Sequence, residues 1–178
     1  MSNEIAVLAG GCFWCLEPVF SQLKGVNAVV SGYIGGHVDQ PNYKQVCTGE
    51  TGHAEAIQIS FDPQQISYAA LLEIFFLSHD PTTPNRQGND VGTQYRSAVF
   101  YQNEAQKDTV NALLENYRRE NTFGAAPVTQ VLAAVEFFPA EDYHQQYFAK
   151  NPGQPYCLAV AAPKVAKIQA KYAALIKP

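Results

Sequence analysis

Apolar residues along the chain fall into short runs whose spacing alternates between period 2 and period 3.6. Residues 4–10, EIAVLAG, read as a buried strand closed by a double glycine. A short helix is expected over about 15–23, with Pro18 tolerated because it falls in the first turn. Gly25 ends that helix, and VNAVVSGYI (26–34) reads as a second strand. A β-α-β unit of this length is a compact, right-handed crossover. Residues 54–61, AEAIQISF, alternate cleanly. Ile57, Ile59 and Phe61 share one face, and strand parity puts Glu55 on that face too. Asp62 and Pro63 stop the strand. The run 67–79 predicts a helix capped by Ser67, with Ile66 and Leu71 spaced as a hydrophobic staple. A strand over 96–102 leads into a helix over 103–121, where Asn103 and Gln106 have capping-box spacing. Residues 127–138 predict one further strand. Pro139 is expected to open a helix through about 150, and 162–177 a terminal helix on the outside.

Strands and helices interleave, with no repeat and no linker. The pattern therefore predicts a single α+β domain over 1–178, one mixed or antiparallel sheet covered by helices. Two polar stretches, 35–53 and 78–95, are too long for simple turns. They are rich in Tyr, Asp, His and Gly, which favours a functional role.

Composition narrows the functions. The 178 residues are 47% hydrophobic and 16% charged, as expected of a globular chain. A formal net charge of -4 argues against nucleic-acid or anionic-membrane partners. No apolar run is long enough to span a bilayer. The opening MSNEIAVLAGG has no basic n-region, so the expected location is cytoplasmic, where thiols stay reduced.

The chain has four cysteines and one tryptophan, and two of the cysteines flank the tryptophan in GCFWCLE. Cys12 follows a strand and a glycine pair at the mouth of a helix. Free N–H groups there stabilise a thiolate and lower its pKa. The glycines would let a ligand approach the backbone. Phe13 and Trp14 beside such a thiol make an apolar wall suited to a methyl or thioether group. Cys15, one turn on, is either a second redox thiol or a core residue. Zinc would need a second ligand pair at similar spacing, which Cys47, Cys157 and the four histidines do not supply. Glu55 on an apolar face is costly unless paired or protonated, and burial would keep it a neutral acid able to donate a proton. Tyr43, Asp90 and Tyr95 in the polar stretches would complete a hydrogen-bonding cluster with Glu55. Cys157, in the turn-rich NPGQPYCLAV, has the mobility that a resolving thiol needs. Cys47 reads as structural.

Together GCFWCLE, GGHVDQPNYKQVCTGETGHAEAIQISFDP, HDPTTPNRQGNDVGTQYRSAVFY and EDYHQQYFAKNPGQPYC resemble the peptide-methionine (S)-S-oxide reductases, the type A methionine sulfoxide reductases. The likeness spans residues 5–168. It implies a two-layer αβ plait, a ferredoxin-like core with a mixed sheet and long coil segments. It also implies Cys12 as nucleophile, Phe13 and Trp14 as the methyl pocket, and Tyr43, Glu55, Asp90 and Tyr95 as the groups that polarise the sulfoxide. It implies no metal or organic cofactor, and thioredoxin as external reductant. The expected substrates are oxidised proteins, peptides and free methionine sulfoxide, acted on by a monomer. Cys157 is favoured as the thiol that resolves a Cys12 sulfenic acid, with Cys15 as the alternative. Two other classes fit the cysteines alone: a general thiol-disulfide oxidoreductase using Cys12 and Cys15, and a non-enzymatic binding domain with buried thiols.

Overall fold

A computed structural model describes residues 2–178. Strand β1 (Glu4–Gly10), helix α1 (Phe13–Ser21) and strand β2 (Val26–Ile34) open the fold. A short helix α2 (Tyr43–Cys47) interrupts the path to β3 (Ala54–Phe61), which leads to helix α3 (Tyr68–Ser78). A small hairpin, β4 (Arg86–Gln87) and β5 (Asp90–Val91), precedes β6 (Ser97–Tyr101) and helix α4 (Glu104–Glu120). Short strands β7 (Gln130–Ala133) and β8 (Phe137–Pro139), a one-turn helix α5 (Tyr147–Lys150) and helix α6 (Ala162–Lys171) complete it.

The six-stranded sheet has the order β7-β6-β1-β3-β2-β8. β3 lies between β1 and β2 and is antiparallel to both, and β6 is antiparallel to β1. The elements β1-α1-β2-β3-α3-β6 thus form the ferredoxin-like αβ plait. The parallel pairing of β7 with β6 makes the sheet mixed. Alternation along β1 sends Ala6 and Leu8 to the large core under the helices, and Val7 and Ala9 to a smaller cluster on the other face. β3 divides likewise, with Ile57, Ile59 and Phe61 under the helices and Ala54 and Ala56 opposite.

The structure differs from the sequence pattern at four elements. Helix α1 starts at Phe13 with Cys12 as N-cap, so Pro18 lies in its second turn, where it removes the bond to the Trp14 carbonyl. The segment 127–138 is two strands on opposite edges of the sheet. Its alternation persists because residues 134–136 cross the second face, where Ala134 and Phe137 pack on the smaller cluster. A flat sheet of this width would measure about 24 Å across its five strand spacings. Four residue steps reach only about 14 Å, so the sheet must be curled. Pro139 ends β8 rather than opening a helix. The Ala140 N–H donates to the Ser31 carbonyl, and the Gln145 amide clamps both Ser31 and the Ala140 carbonyl. The terminal helix begins earlier than expected, with a wide turn over Cys157–Ala161, and it stops at Lys171. Residues beyond it are held by backbone bonds from Lys24 to Leu175 and from Lys177 to Gln22.

The caps at Ser67 and Asn103 form as the spacing predicts, accepting from the Ala70 and Gln106 N–H groups. Gln106 does not close a capping box. Its amide accepts from the Gln102 N–H and donates to the Ile5 carbonyl, tying α4 to β1.

Candidate active site

The Cys12 thiol sits where β1 turns into α1. Gly11 makes the turn with φ +98°, a conformation that favours glycine. The glycine pair is also required by packing within the chain. A Cβ on Gly10 would stand 2.8 Å from the Phe75 ring, and one on Gly11 would stand 2.7 Å from Gln87 Cγ. Burial is the main force on the Cys12 thiol and pushes its pKa well up, aided by its hydrogen bond to Cys15 and the negative charge of Glu55. The backbone N–H of Trp14 acts the other way but loses. The thiolate expected from the helix terminus is therefore not the resting state. Cys15 is shifted down, first because it accepts the Cys12 hydrogen bond.

Glu55 is buried on the helix side of β3, as strand parity predicts. Its Oε1 accepts from the Phe13 N–H at 3.2 Å, while Oε2 is buried with no partner. Burial raises its pKa to about 8, and the Asp90 and Cys15 charges add to the shift. At neutral pH it is a protonated acid with one oxygen uncommitted.

The two polar stretches are tied to one another, which brings their side chains to Glu55. Thr93 Oγ1 donates to the Gly49 carbonyl, Gln94 Nε2 to the Cys47 carbonyl and Arg96 Nη2 to the Gly52 carbonyl. Tyr43, Tyr95, Cys47 and Glu55 thereby fall within electrostatic reach of one another. Burial raises both tyrosine pKa values, with Cys47 adding for Tyr43 and Glu55 for Tyr95. Both phenols stay protonated and can donate. Gly36 anchors the first stretch. Its N–H donates to His53 Nδ1, while His53 Nε2 lies 2.7 Å from the Val38 carbonyl. A Cβ there would be 2.4 Å from both the His53 nitrogen and the Thr51 carbonyl oxygen. Gly36→Ala is expected to cost about 1–3 kcal/mol by overpacking. A thermal melt checks this; an unchanged midpoint would mean the loop moves freely.

Phe13 is fully buried and packs on Tyr33, Tyr43 and His144. Trp14 is half-buried, stacked flat on Tyr147 at 3.7 Å, with Tyr156 edge-on at 6.0 Å. Its Nε1–H donates to His144 Nδ1 at 2.9 Å. That bond fixes the neutral His144 tautomer with the proton on Nε2.

Asp90 does not pair with Glu55. Its Oδ2 accepts from the Tyr156 hydroxyl at 2.6 Å, and that hydroxyl accepts from the Cys15 thiol at 3.7 Å. A cavity of about 360 Å³ is lined by Cys12, Gln87, Gly88, Asn89, Asp90, Tyr156, Val160 and Lys164. Cys157 is not in a mobile loop. It is fully buried in the wide helical turn that leads into α6, and its thiol feels the charge of Cys15. The glycine and prolines before it end at Pro155, and the turn that follows packs against α1 with Cys157 and Ala161 buried. Cys47, by contrast, is exposed at the end of α2.

Sequence reasoning passed over Tyr156, His144, Glu141 and Lys164. Glu141 accepts from the Tyr33 hydroxyl and the Tyr43 N–H and so holds Tyr43 in place. These residues follow a long chain excursion, and their partners lie 66 to 141 residues away, beyond any local pattern. The one available signal was the placing of Tyr156 directly before a cysteine. Among the described residues no cluster of His, Cys, Asp and Glu is placed to hold a metal, and no helix is long and apolar enough to cross a membrane.

A family model for peptide methionine sulfoxide reductase matches residues 4–175. The chain is 55% identical to the peptide methionine sulfoxide reductase MsrA of Chromobacterium violaceum, over 98% of this chain and 99% of that one. The structure is similar to reduced Mxr1 from Saccharomyces cerevisiae, with TM-score 0.82 and 34% identity over 88% of this chain and 90% of that one. It shares its fold with Mxr1 in complex with Trx2, at TM-score 0.59 and 24% identity over 82% of this chain and 85% of that one.

Proposed function

Since the chain belongs to the peptide methionine sulfoxide reductase family of oxidoreductases, we propose that it reduces the S epimer of methionine sulfoxide, in proteins and as the free amino acid, with Cys12 as nucleophile. The observation that carries this reading is the Glu55 carboxyl, protonated at neutral pH and with Oε2 unpartnered beside Cys12. A sulfoxide sulfur is a poor electrophile until its oxygen is protonated or strongly hydrogen-bonded. Glu55 gives its proton to that oxygen as the Cys12 sulfur attacks, with the Tyr43 and Tyr95 hydroxyls as further donors. The Cys12 thiol proton restores Glu55. The hydroxyl then passes from the substrate sulfur to the Cys12 sulfur, as the bond between the two sulfurs breaks with its electron pair going to the substrate. Methionine leaves, and Cys12 is left as a sulfenic acid.

Cys15 then condenses with the sulfenic acid, releasing water and leaving a Cys12–Cys15 disulfide. Cys15 lies one helical turn from Cys12 and is among the groups that shift its pKa, whereas Cys157 is not. Cys157 acts as a second relay thiol, exchanging with Cys15 and freeing Cys12. Thioredoxin reduces the final disulfide, a reading supported by the capture of the related Mxr1 with Trx2. The protein works as a cytoplasmic monomer, without metal or organic cofactor.

Phe13 and Trp14 form the wall that receives the methyl group. Trp14→Ala is expected to raise KM about tenfold, the loss of roughly 1.4 kcal/mol of apolar contact. It should also narrow the preference for methyl over ethyl sulfoxide. Steady-state kinetics on both substrates test this, and unchanged values would make Trp14 a purely structural partner of Tyr147. The recycling steps are tested by coupling turnover to thioredoxin, thioredoxin reductase and NADPH. Sustained NADPH oxidation with the S sulfoxide supports the reading; turnover with dithiothreitol but not with thioredoxin would remove that partner.

A further inference from the structure

Two hydrogen bonds in series lead from Cys15, the thiol nearest the catalytic cysteine in sequence, to one carboxylate. Cys15 stands one helical turn from Cys12, close enough for each thiol to shift the other's pKa. The Cys15 thiol donates to the Tyr156 hydroxyl at 3.7 Å, and Tyr156 donates to Asp90 Oδ2 at 2.6 Å. The parts come from α1, the β4–β5 hairpin and the approach to α6. The series runs along the wall of the cavity that also exposes Cys12 and Lys164.

We propose that Tyr156 and Asp90 form a proton relay that activates Cys15 as the resolving thiol. The inference rests on the reading of Cys15 given above. In the step it serves, the Cys15 proton passes to the Tyr156 oxygen while the Tyr156 proton passes to Asp90. The Cys15 sulfur then attacks the Cys12 sulfenic sulfur. The S–S bond forms with the Cys15 electron pair, and the S–O bond breaks with its pair leaving on oxygen. That hydroxide takes up the proton held by Asp90, through the cavity, and departs as water. Cys15 is oxidised and Cys12 reduced by the same amount, so no outside oxidant or reductant enters.

The charges around Cys15 fit this direction of transfer. Cys12 from the turn before α1 and Lys164 from α6 favour its thiolate, as does the hydrogen bond to Tyr156. Asp90 opposes the thiolate until it takes the proton. Glu55 on β3 and Cys157 ahead of α6 also face it, each raised in pKa and so neutral towards it at neutral pH. The Tyr156 ring also packs edge-on against the Trp14 ring, with centroids 6.0 Å apart.

Tyr156→Phe keeps that ring contact and deletes only the relay. The experiment is a reductant-free single turnover with S-methionine sulfoxide. Methionine release, dimedone-trappable sulfenic acid and the mapped disulfide are followed in the same samples from about pH 6 to 8. In the variant, the ratio of the disulfide-forming rate to the methionine-releasing rate should fall at least tenfold, and trapped sulfenic acid should accumulate. Its disulfide-forming rate should also climb about tenfold per pH unit, because Cys15 must now lose its proton to solvent, while the wild type stays nearly flat. A merely structural role for Tyr156 would slow both steps and leave the pH slope as in the wild type, and that result overturns the relay. A wild type that forms no Cys12–Cys15 bond would overturn it together with the assignment of Cys15, whereas a normal wild-type bond with an unaffected variant overturns the relay alone.

Discussion

Cys12→Ser gives a folded protein that releases no methionine from methionine sulfoxide, in single or multiple turnovers, whatever reductant is supplied. Serine is nearly isosteric with cysteine, but its hydroxyl does not attack a sulfoxide sulfur at neutral pH. The fold should not suffer. Cys12 is the N-cap of α1 and makes no side-chain cap bond. Serine is among the preferred residues there, and its oxygen can accept from the first turn of the helix. The melting temperature should therefore be unchanged or higher, by an amount matching up to about 1 kcal/mol. Methionine release by the folded variant would show that another residue carries the attack.

Glu55→Gln should lower the methionine-releasing step by about 10²–10⁴-fold, the range of a positioned general acid. The amide keeps the geometry. Its oxygen can still accept from the Phe13 N–H, in place of the 3.2 Å bond to Oε1. It cannot deliver a proton from the position of Oε2. The pH profile separates this from damage to the pocket. Burial raises the Glu55 pKa to about 8, so the carboxyl is protonated below that pH and ionised above it. The wild-type single-turnover rate should thus fall as pH rises through about 8. The variant, with nothing to ionise there, should lack that limb. A wild-type burst rate in the variant would mean that Tyr43, Tyr95 or water supplies the proton.

The core of the fold was legible in the sequence because its signals are local. The alternation of β3 placed Glu55 among Ile57, Ile59 and Phe61, and the structure buries it there. Ser67 and Asn103 announced two helix starts that form as caps. The misread elements are those fixed by distant partners. The break in 127–138 is set by pairing with β6 on one edge and β2 on the other. The start of β3 needed no such help, but Pro139 pairs with Gly32, more than a hundred residues earlier, and that contact overrides its helix-opening habit.

The candidate site divides in the same way. Cys12, Phe13 and Trp14 are adjacent in sequence and remain adjacent in space. Tyr43, Asp90 and Tyr95 lie in stretches marked by their length, but each reads singly as a solvated loop residue, and the family resemblance is what assigned them to the site. Asp90 in fact serves Tyr156 rather than Glu55. The expected low pKa of Cys12 failed because burial outweighs the helix terminus, and burial is a tertiary property. Cys157 was read as mobile from the turn residues before it, but it begins a helical turn that buries it together with Ala161.

The measurement that tests the central claim most directly is a reductant-free turnover of the wild-type protein on separated S- and R-methionine sulfoxide, with methionine and free thiols counted together. Expected is one methionine per protein from the S epimer with the loss of two thiols as the first disulfide closes, a second methionine once Cys157 has freed Cys12, and nothing from the R epimer. Methionine from the R epimer, or none from the S epimer by a protein whose four thiols are intact at the start, would contradict the claim.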